Sequence, residues 1–283
     1  MGVGMQRAEL ASFLRTRRQQ TDPASAGLRS AGHRRTPGLR REEVSLLSGV
    51  SVTWYTWLEQ GRDISPSTQV IDALARTLQL SDAEHQYVLR LAGHHHSPPP
   101  QDNDEPLPVH AQRLLDAFGE SPSYVITPTW YIVGWNMAYE AFYPSIATVP
   151  DTDRNLLWLV FTDPRVRTML PNWEVDSHRF LAQFRAEAGP RIHQPPVSGL
   201  IARLQAASEE FHAGWAAHDI EQFTSRQRRF LHPLEGELLL EHHRLDLSDC
   251  PGLHLVVYTA VPGSGTDTKL SRLRPRDSVD REG

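Results

Sequence analysis

Apolar residues in the first 93 positions recur with the period of an α-helix. In the first of five predicted helices, Leu10, Phe13 and Leu14 lie at i, i+3 and i+4. Four more helices follow after a polar loop, over about 40–47, 51–60, 68–78 and from 82 onward. Ser81 and Glu84 form a Ser-x-x-Glu capping box before the last of them. The pattern predicts a compact all-α bundle.

Residues 109–261 combine the helical period with the period-2 alternation of strands. Two β-rich runs between Ser123 and Trp135 flank Pro128 and Thr129, which predicts a hairpin. Further elements are predicted as helices near 110–118, 136–143, 152–161, 173–188, 198–206 and 208–217, and as strands over 229–232, 237–245 and 253–259. This order of strands, helices and strands predicts an α+β domain with an antiparallel sheet.

Polar segments divide the chain into parts. Residues 94–108 are rich in proline and acidic residues, which predicts a stiff, solvated linker between a domain over 1–93 and one over 109–261. Three adjacent histidines, His94 to His96, could also indicate a metal site. Neighbouring side chains on an extended segment point in different directions, so a plain linker is the favoured interpretation. Residues 262–283 are polar and predict a flexible tail.

Charge is distributed unevenly along the chain. The net charge is −5, which alone argues against binding to nucleic acid, but residues 1–62 hold ten arginines and five acidic residues, a net +5. Residues 94–283 carry a net −8. A basic N-terminal part on an acidic remainder indicates that only the first domain meets phosphate.

Cysteine content and hydropathy narrow the class of protein. The single cysteine, Cys250, excludes an internal disulfide framework and a cysteine-built zinc site, so no metal or cofactor is predicted. No stretch approaches the roughly 18 apolar residues that span a bilayer. We expect a protein of the reducing cytoplasm that does not bind membranes.

The second and third predicted helices have the form of a helix-turn-helix. Gly49 lies in a very short turn between them, and Ser51 is a candidate N-cap for the second. One face of the pair is predicted to meet the core through Val44, Leu47, Val50, Tyr55 and Leu58. The outward face then carries Val52, Thr53, Thr56 and Trp57. An outward tryptophan and valine suit contact with thymine methyl groups in a major groove.

These residues resemble a known class of regulators. The strings Val44–Ser51 and Glu59–Gly61 are similar to the helix-turn-helix of XRE-class (Cro/C1-type) repressors. The longer strings Arg34–Val44 and Gly49–Arg62 resemble the MmyB-like regulators of that class. Resemblance continues in the second half, at Trp135-Asn136, Arg154–Leu156, Phe161–Pro164, Trp215–His218, His232-Pro233 and Val257–Thr259.

The resemblance implies roles for individual residues of the first domain. It puts base contacts at Val52, Thr53, Thr56 and Trp57, and phosphate contacts at Ser51, Arg40, Arg41 and Arg62. Arg34 and Arg35 would reach the DNA backbone or the minor groove. No Gln, Asn or Arg occupies the reading positions, so sequence choice would depend on thymine methyl groups and DNA shape. A protein-interaction module with surface tryptophans is the alternative.

For the second domain, the resemblance implies a PAS-like fold that binds a small apolar ligand, with a fatty-acid-like molecule as the candidate. Its candidate lining residues are aromatic: Trp130, Trp135, Tyr139, Phe142, Trp158, Phe161, Phe180, Phe211 and Trp215. Arg154 is a candidate partner for a ligand carboxylate, unless it pairs with Asp151, Asp153 or Asp163. The aromatic residues could also form only the core.

No motif of an enzyme accompanies these features. His212 and His218 lack the spacing of a helical metal pair, and no phosphate loop or nucleophile elbow is present. We therefore predict a non-enzymatic, homodimeric regulator that binds double-stranded DNA and senses an apolar ligand. The alternative is a regulator whose second domain serves only for dimerisation or protein interaction.

Overall fold

The computed structural model describes residues 2–28, 38–94 and 107–273. Arg34 and Arg35, most of the predicted linker and the last ten residues lie outside the described residues. The described parts of Met1–Pro98 and Leu181–Gln222 form one compact unit, and those of Pro99–Phe180 and Phe223–Gly283 form a second. In this division Leu181–Gln222 groups with the N-terminal helices, although it lies within the predicted domain over 109–261, whose bounds stay a prediction.

The described residues contain thirteen α-helices and five strands, besides three short 3-10 helices. The helices are α1 (Gly2–Gln20), α2 (Arg41–Ser48), α3 (Val52–Glu59), α4 (Thr68–Thr77), α5 (Asp82–Leu91), α6 (Val109–Ala117), α7 (Met137–Phe142), α8 (Leu156–Thr162), α9 (Pro164–Met169), α10 (Trp173–Ala188), α11 (Val197–Ala207), α12 (Glu209–Ala216) and α13 (Thr266–Leu273). The strands are β1 (Ser123–Ile126), β2 (Ile132–Trp135), β3 (Arg226–His232), β4 (Gly236–Asp246) and β5 (His254–Ala260).

Helices α1 to α5 surround one apolar core, which confirms the predicted five-helix bundle. Phe13 and Tyr87 meet edge to face in that core, with ring centroids 5.3 Å apart. The predicted capping box is present at Ser81 and Glu84. Leu47 was predicted to be buried but is 38% exposed. Val44 is the one buried residue of α2, so this helix meets the core through its first turn.

The strands form one antiparallel sheet in the order β2-β1-β5-β4-β3. The hairpin predicted around Pro128 is confirmed, with Val125 opposite Gly134. Along β3 the burial alternates, so Arg228, Phe230 and His232 are buried on one face. This confirms the predicted α+β class and places an arginine on the inner face of the sheet.

Two helices were missed by the sequence prediction. Helix α9 begins with Pro164, and the Asp163 side chain caps it by accepting from Arg165 N. Helix α13 lies in the segment predicted as a flexible tail, and Leu270 and Thr266 are buried there. The Leu239 amide donates to Thr266 Oγ1 at 2.9 Å, which ties this helix to β4. Within the described residues, no helix is both long and apolar enough to cross a bilayer.

Candidate functional site

The connection between α2 and α3 depends on a glycine conformation and a serine cap. Gly49 has φ 73°, and its amide donates to Ser45 O at 3.0 Å to close α2. Ser51 Oγ accepts from the Trp54 amide at 3.2 Å and starts α3. The turn is therefore tight, and the orientation of α3 is fixed at its first residue.

Helix α3 divides its side chains between the core and the surface. Tyr55 and Leu58 are buried. Thr53 is exposed, whereas Val52, Thr56 and Trp57 are half-buried. The Thr56 hydroxyl donates to Val52 O at 2.7 Å and is thus engaged within the helix. The four residues predicted to contact bases all keep accessible surface on one short helix.

The predicted phosphate-binding arginines differ in their surroundings. Arg40 and Arg62 are exposed, and the Arg62 guanidinium lies 5.6 Å from the centre of the Trp57 ring. The Arg41 side chain is 40% exposed and donates from Nε to Glu59 Oε2 at 2.7 Å. Arg62 and Arg40 therefore offer charge to a ligand, while Arg41 also serves the fold.

A buried ion pair behind α3 was not predicted. The Glu59 side chain is fully buried, and Arg18 Nε donates to its Oε1 at 2.5 Å. Arg18 also donates to Leu39 O, and Arg15 donates to Glu59 O. Burial raises the pKa of Glu59, but Arg18 and Arg41 outweigh burial and lower it below 4.5. The C-terminal end of α3 is thus held in place by the ion pairs of Glu59 with Arg18 and Arg41.

The second unit contains a cavity beside the inner face of the sheet. The cavity has a volume of about 50 Å³. The atom-free space around it, which is partly open to solvent, totals about 490 Å³. Three predicted residues, Tyr139, Phe142 and Phe180, line it. The other lining residues are Tyr143, Leu156, Leu159, Val160, Val166, Met169, Leu170, Arg228, Phe230 and Tyr258.

Some predicted ligand residues pack beside this cavity rather than lining it. Trp130 is buried and meets Phe180 edge to face at 6.1 Å, and Phe161 meets Trp173 at 5.8 Å. Trp158, on α8, is half-buried and is also outside the lining set.

The remaining candidates have other partners. Arg154 pairs with Asp151 at 2.8 Å and lies over the Trp135 ring at 4.9 Å, which is the alternative considered for that arginine. Phe211 and Trp215 belong to the other unit, where they stack on each other at 5.5 Å.

The charged group of the cavity is Arg228, which the sequence prediction missed. Its side chain is 2% exposed, yet neither its Nε nor its Nη atoms have a hydrogen-bond partner. The closest carboxylate oxygen, Asp176 Oδ1, is 4.0 Å from Nε. Its guanidinium lies 4.3 Å from the centre of the Phe180 ring. A buried guanidinium with unused donors beside apolar walls is an incomplete anion site.

Three titratable groups near the cavity, His242, Tyr143 and Tyr139, are neutral at physiological pH. Burial, helped by the positive charge of Arg228, lowers the pKa of His242 to about 3. Burial, Asp163 and its hydrogen bond from the phenol raise the pKa of Tyr143 well above its ordinary range. Burial likewise raises the pKa of Tyr139. Arg228 is therefore the charged residue among those that line the cavity.

In the first unit, a buried polar network joins α1 and α5 to α10. Arg185 Nη1 donates to Glu9 Oε1 at 2.9 Å, and the Tyr87 hydroxyl donates to the same oxygen at 2.8 Å. Arg185 also donates to Trp215 O and lies 2.8 Å from His218 Nδ1. On the other side of the ring, His218 Nε2 lies 3.1 Å from Ser12 Oγ.

The tight turn, the capped and partly exposed α3 and the basic residues beside it define a helix-turn-helix DNA-binding protein. A family model described as a helix-turn-helix domain matches residues 9–88. A model described as an MmyB-like transcription regulator ligand binding domain matches residues 107–273, more than half of the chain. The chain therefore belongs to the MmyB-like transcription regulators, and it joins a DNA-binding domain to a ligand-sensing one. Comparison with curated proteins gives no significant match.

Proposed function

We propose that this regulator reads DNA with α3 and senses an apolar molecule that carries an anionic end. The observation that carries the ligand assignment is Arg228, a buried guanidinium whose nitrogens have no hydrogen-bond partner, in an otherwise apolar and aromatic cavity. Arginine keeps its charge at physiological pH, so hydrogen bonds from its unused donors to an anion would offset the cost of burying it. A carboxylate fits this geometry through a bidentate contact.

The size of the cavity sets a further requirement on the ligand. The space of about 50 Å³ for water-sized molecules holds a few waters, whereas ligand pockets typically hold ~300–1,000 Å³. A chain-like ligand must therefore displace side chains as it enters. Met169 and Leu170 line the cavity on and just after the short helix α9, and flexible methionine is suited to such repacking.

The test compares ligands that differ only in the charged end. Straight-chain carboxylic acids, kept below micelle-forming concentrations, are added to the full chain beside methyl esters and amines of the same length. We expect the acids to raise the melting temperature most, because only they bring an anion to Arg228. A ligand at 100 times its Kd stabilises the folded state by ~2.7 kcal/mol. Arg228→Met should remove the advantage of the acid over its ester.

Arg154→Met is the matched control, because Arg154 is already paired with Asp151. This substitution should leave the rise in melting temperature caused by the acid unchanged. Equal effects of acid and ester on the unmodified chain would contradict the anionic end. If no apolar compound raised the melting temperature, the second domain would instead be a dimerisation or interaction scaffold.

For DNA recognition, we propose base contacts from Val52, Thr53, Thr56 and Trp57 and phosphate contacts from Ser51, Arg40, Arg41 and Arg62. The partial exposure of all eight supports this assignment. Arg34 and Arg35 are kept as proposed contacts to the backbone or the minor groove.

Removing base contacts should weaken specific binding without unfolding the bundle. We expect Thr53→Ala and Trp57→Ala each to cost ~1–3 kcal/mol in binding to a site selected from random DNA. Thr68→Ala, an exposed threonine at the start of α4, is the control and should leave the Kd unchanged. Unfolding of Trp57→Ala, seen by circular dichroism, would show that Trp57 belongs to the core.

Membership of the XRE class, a PAS-like second domain, a cytoplasmic location and a homodimer remain predictions. A homodimer is favoured because one short reading helix covers few base pairs, and two-fold symmetry places half-sites ~34 Å apart.

A further inference from the structure

His110, Asp249 and Cys250 come together in the second unit, although the sequence separates the histidine and the cysteine by 140 positions. His110 lies in the first turn of α6, and the other two lie in the turn between β4 and β5. One ligand atom from each lies within 4.8 Å of the other two. His110 Nε2 is 2.8 Å from Asp249 Oδ2 and 3.7 Å from Cys250 Sγ.

The turn holds its two members in place by independent means. The Cys250 amide donates to Leu247 O at 3.1 Å, and the Leu253 amide donates to Cys250 O at 3.0 Å. Cys250 is 6% exposed and belongs to an apolar cluster that includes Leu115 and Leu255. The sulfur is therefore positioned by packing, while His110 and Asp249 remain accessible to solvent.

We propose that these three side chains bind a divalent ion of the zinc type. Imidazole, thiolate and carboxylate are the ligands that zinc takes in tetrahedral sites, and hard cations such as Mg²⁺ avoid sulfur. Zinc bonds of ~2.1 Å to nitrogen and ~2.3 Å to sulfur place those two atoms ~3.5 Å apart. The observed 3.7 Å meets that requirement. The direct 2.8 Å contact between His110 Nε2 and Asp249 Oδ2 would be replaced by a bond from each atom to the ion. The two atoms would then move slightly apart.

Three protein ligands leave a fourth position for water or another small ligand. The ion would join α6 to the β4–β5 turn, two elements of the same unit. Because it would bind the folded chain and not the unfolded one, it should stabilise that unit in proportion to its concentration.

The experiment titrates Co²⁺ and Zn²⁺ into the full chain without an affinity tag. His94, His95 and His96 are first replaced by glutamine, so that any Co²⁺ taken up by adjacent histidines does not enter the titration. We expect one equivalent of Co²⁺ to bind and to produce a sulfur-to-cobalt charge-transfer band, and Zn²⁺ to displace it and raise the melting temperature. His110→Gln should weaken binding ~10-fold or more, as losing even an outer-shell partner costs ~10–100-fold.

Cys250→Ser should abolish the charge-transfer band. Since Cys250 is buried, the exposed His110 provides the variant that leaves the core intact. His254→Gln is the matched control, because His254 also pairs with an aspartate, Asp246, at 2.6 Å. Binding unaltered by both His110→Gln and Cys250→Ser, or the absence of stoichiometric binding, would overturn the proposal.

Discussion

Replacing Glu59 by glutamine is expected to destabilise the helix-turn-helix bundle by about 3–5 kcal/mol, the usual cost of removing one member of a buried ion pair. Glutamine keeps the volume of the side chain but leaves Arg18 and Arg41 without their counter-charge. Arg18 is itself buried, so its guanidinium cannot turn to water instead. Because Arg41 is a proposed phosphate contact, the variant should also alter DNA binding.

The measurement is thermal unfolding of the full chain together with hydrogen exchange of the α3 amides. Glu42→Gln is the control, because Glu42 is exposed on α2. The pKa of Glu59 is lowered in the folded state, so its stabilisation is present above 4.5 and lost as pH falls through the lower folded value. Glu59→Gln should therefore flatten the loss of stability below that pH. If Glu59→Gln lost as little stability as Glu42→Gln, the claim that the Glu59 ion pairs anchor the end of α3 would be wrong.

Arg185→Met is expected to have an effect of similar size in the same unit. The substitution leaves the Glu9 carboxylate buried without its arginine, beside Tyr87 at 2.8 Å, His218 at 3.5 Å and His193 at 3.8 Å, at a cost of about 3–5 kcal/mol. Burial raises the pKa of Glu9, but His218 and Arg185 together lower it to about 2. The stabilisation is thus present above 4.5 and lost as pH falls toward 2.

Helix α10 carries residues of both the cavity and this network. Phe180 lines the cavity, and Arg185 follows five residues later on the same helix. A ligand that shifts α10 would change the contacts made with α1 through Glu9. In Arg185→Met we therefore expect ligand binding to persist and its effect on DNA affinity to shrink. Arg203→Met, at an exposed position of α11, is the control for both readouts. An unchanged ligand effect with unchanged stability would rule out this route.

Local signals in the sequence were sufficient to predict the helices of the DNA-binding part and the turn between α2 and α3. Ser51, Gly49 and the Ser81–Glu84 box act on neighbouring residues, so their roles are visible within a few positions. The start of α9 had such a signal too, in Asp163 followed by Pro164. Helix α13 was missed because its few apolar residues become buried only against β4 and α7.

Charged residues that act at long range could not be assigned in the same way. Glu9 and Arg185 are 176 positions apart, and no local pattern joins them. Arg228 did have a weak signal, since the alternation through Phe230 and His232 puts it on the inner face of β3. The sequence shows that aromatic residues are frequent in the second predicted domain. It does not show which of them line the cavity, as Phe142 does, and which lie in the other unit, as Trp215 does.

The most direct test of the regulator assignment is the affinity for a selected DNA site with and without a saturating apolar carboxylate, at one fixed salt concentration. We expect the Kd to change by ~5-fold or more, the usual range of allosteric coupling. Arg228→Met should bind the site equally well in both conditions. An unmodified chain whose Kd is the same with and without bound ligand would contradict the account.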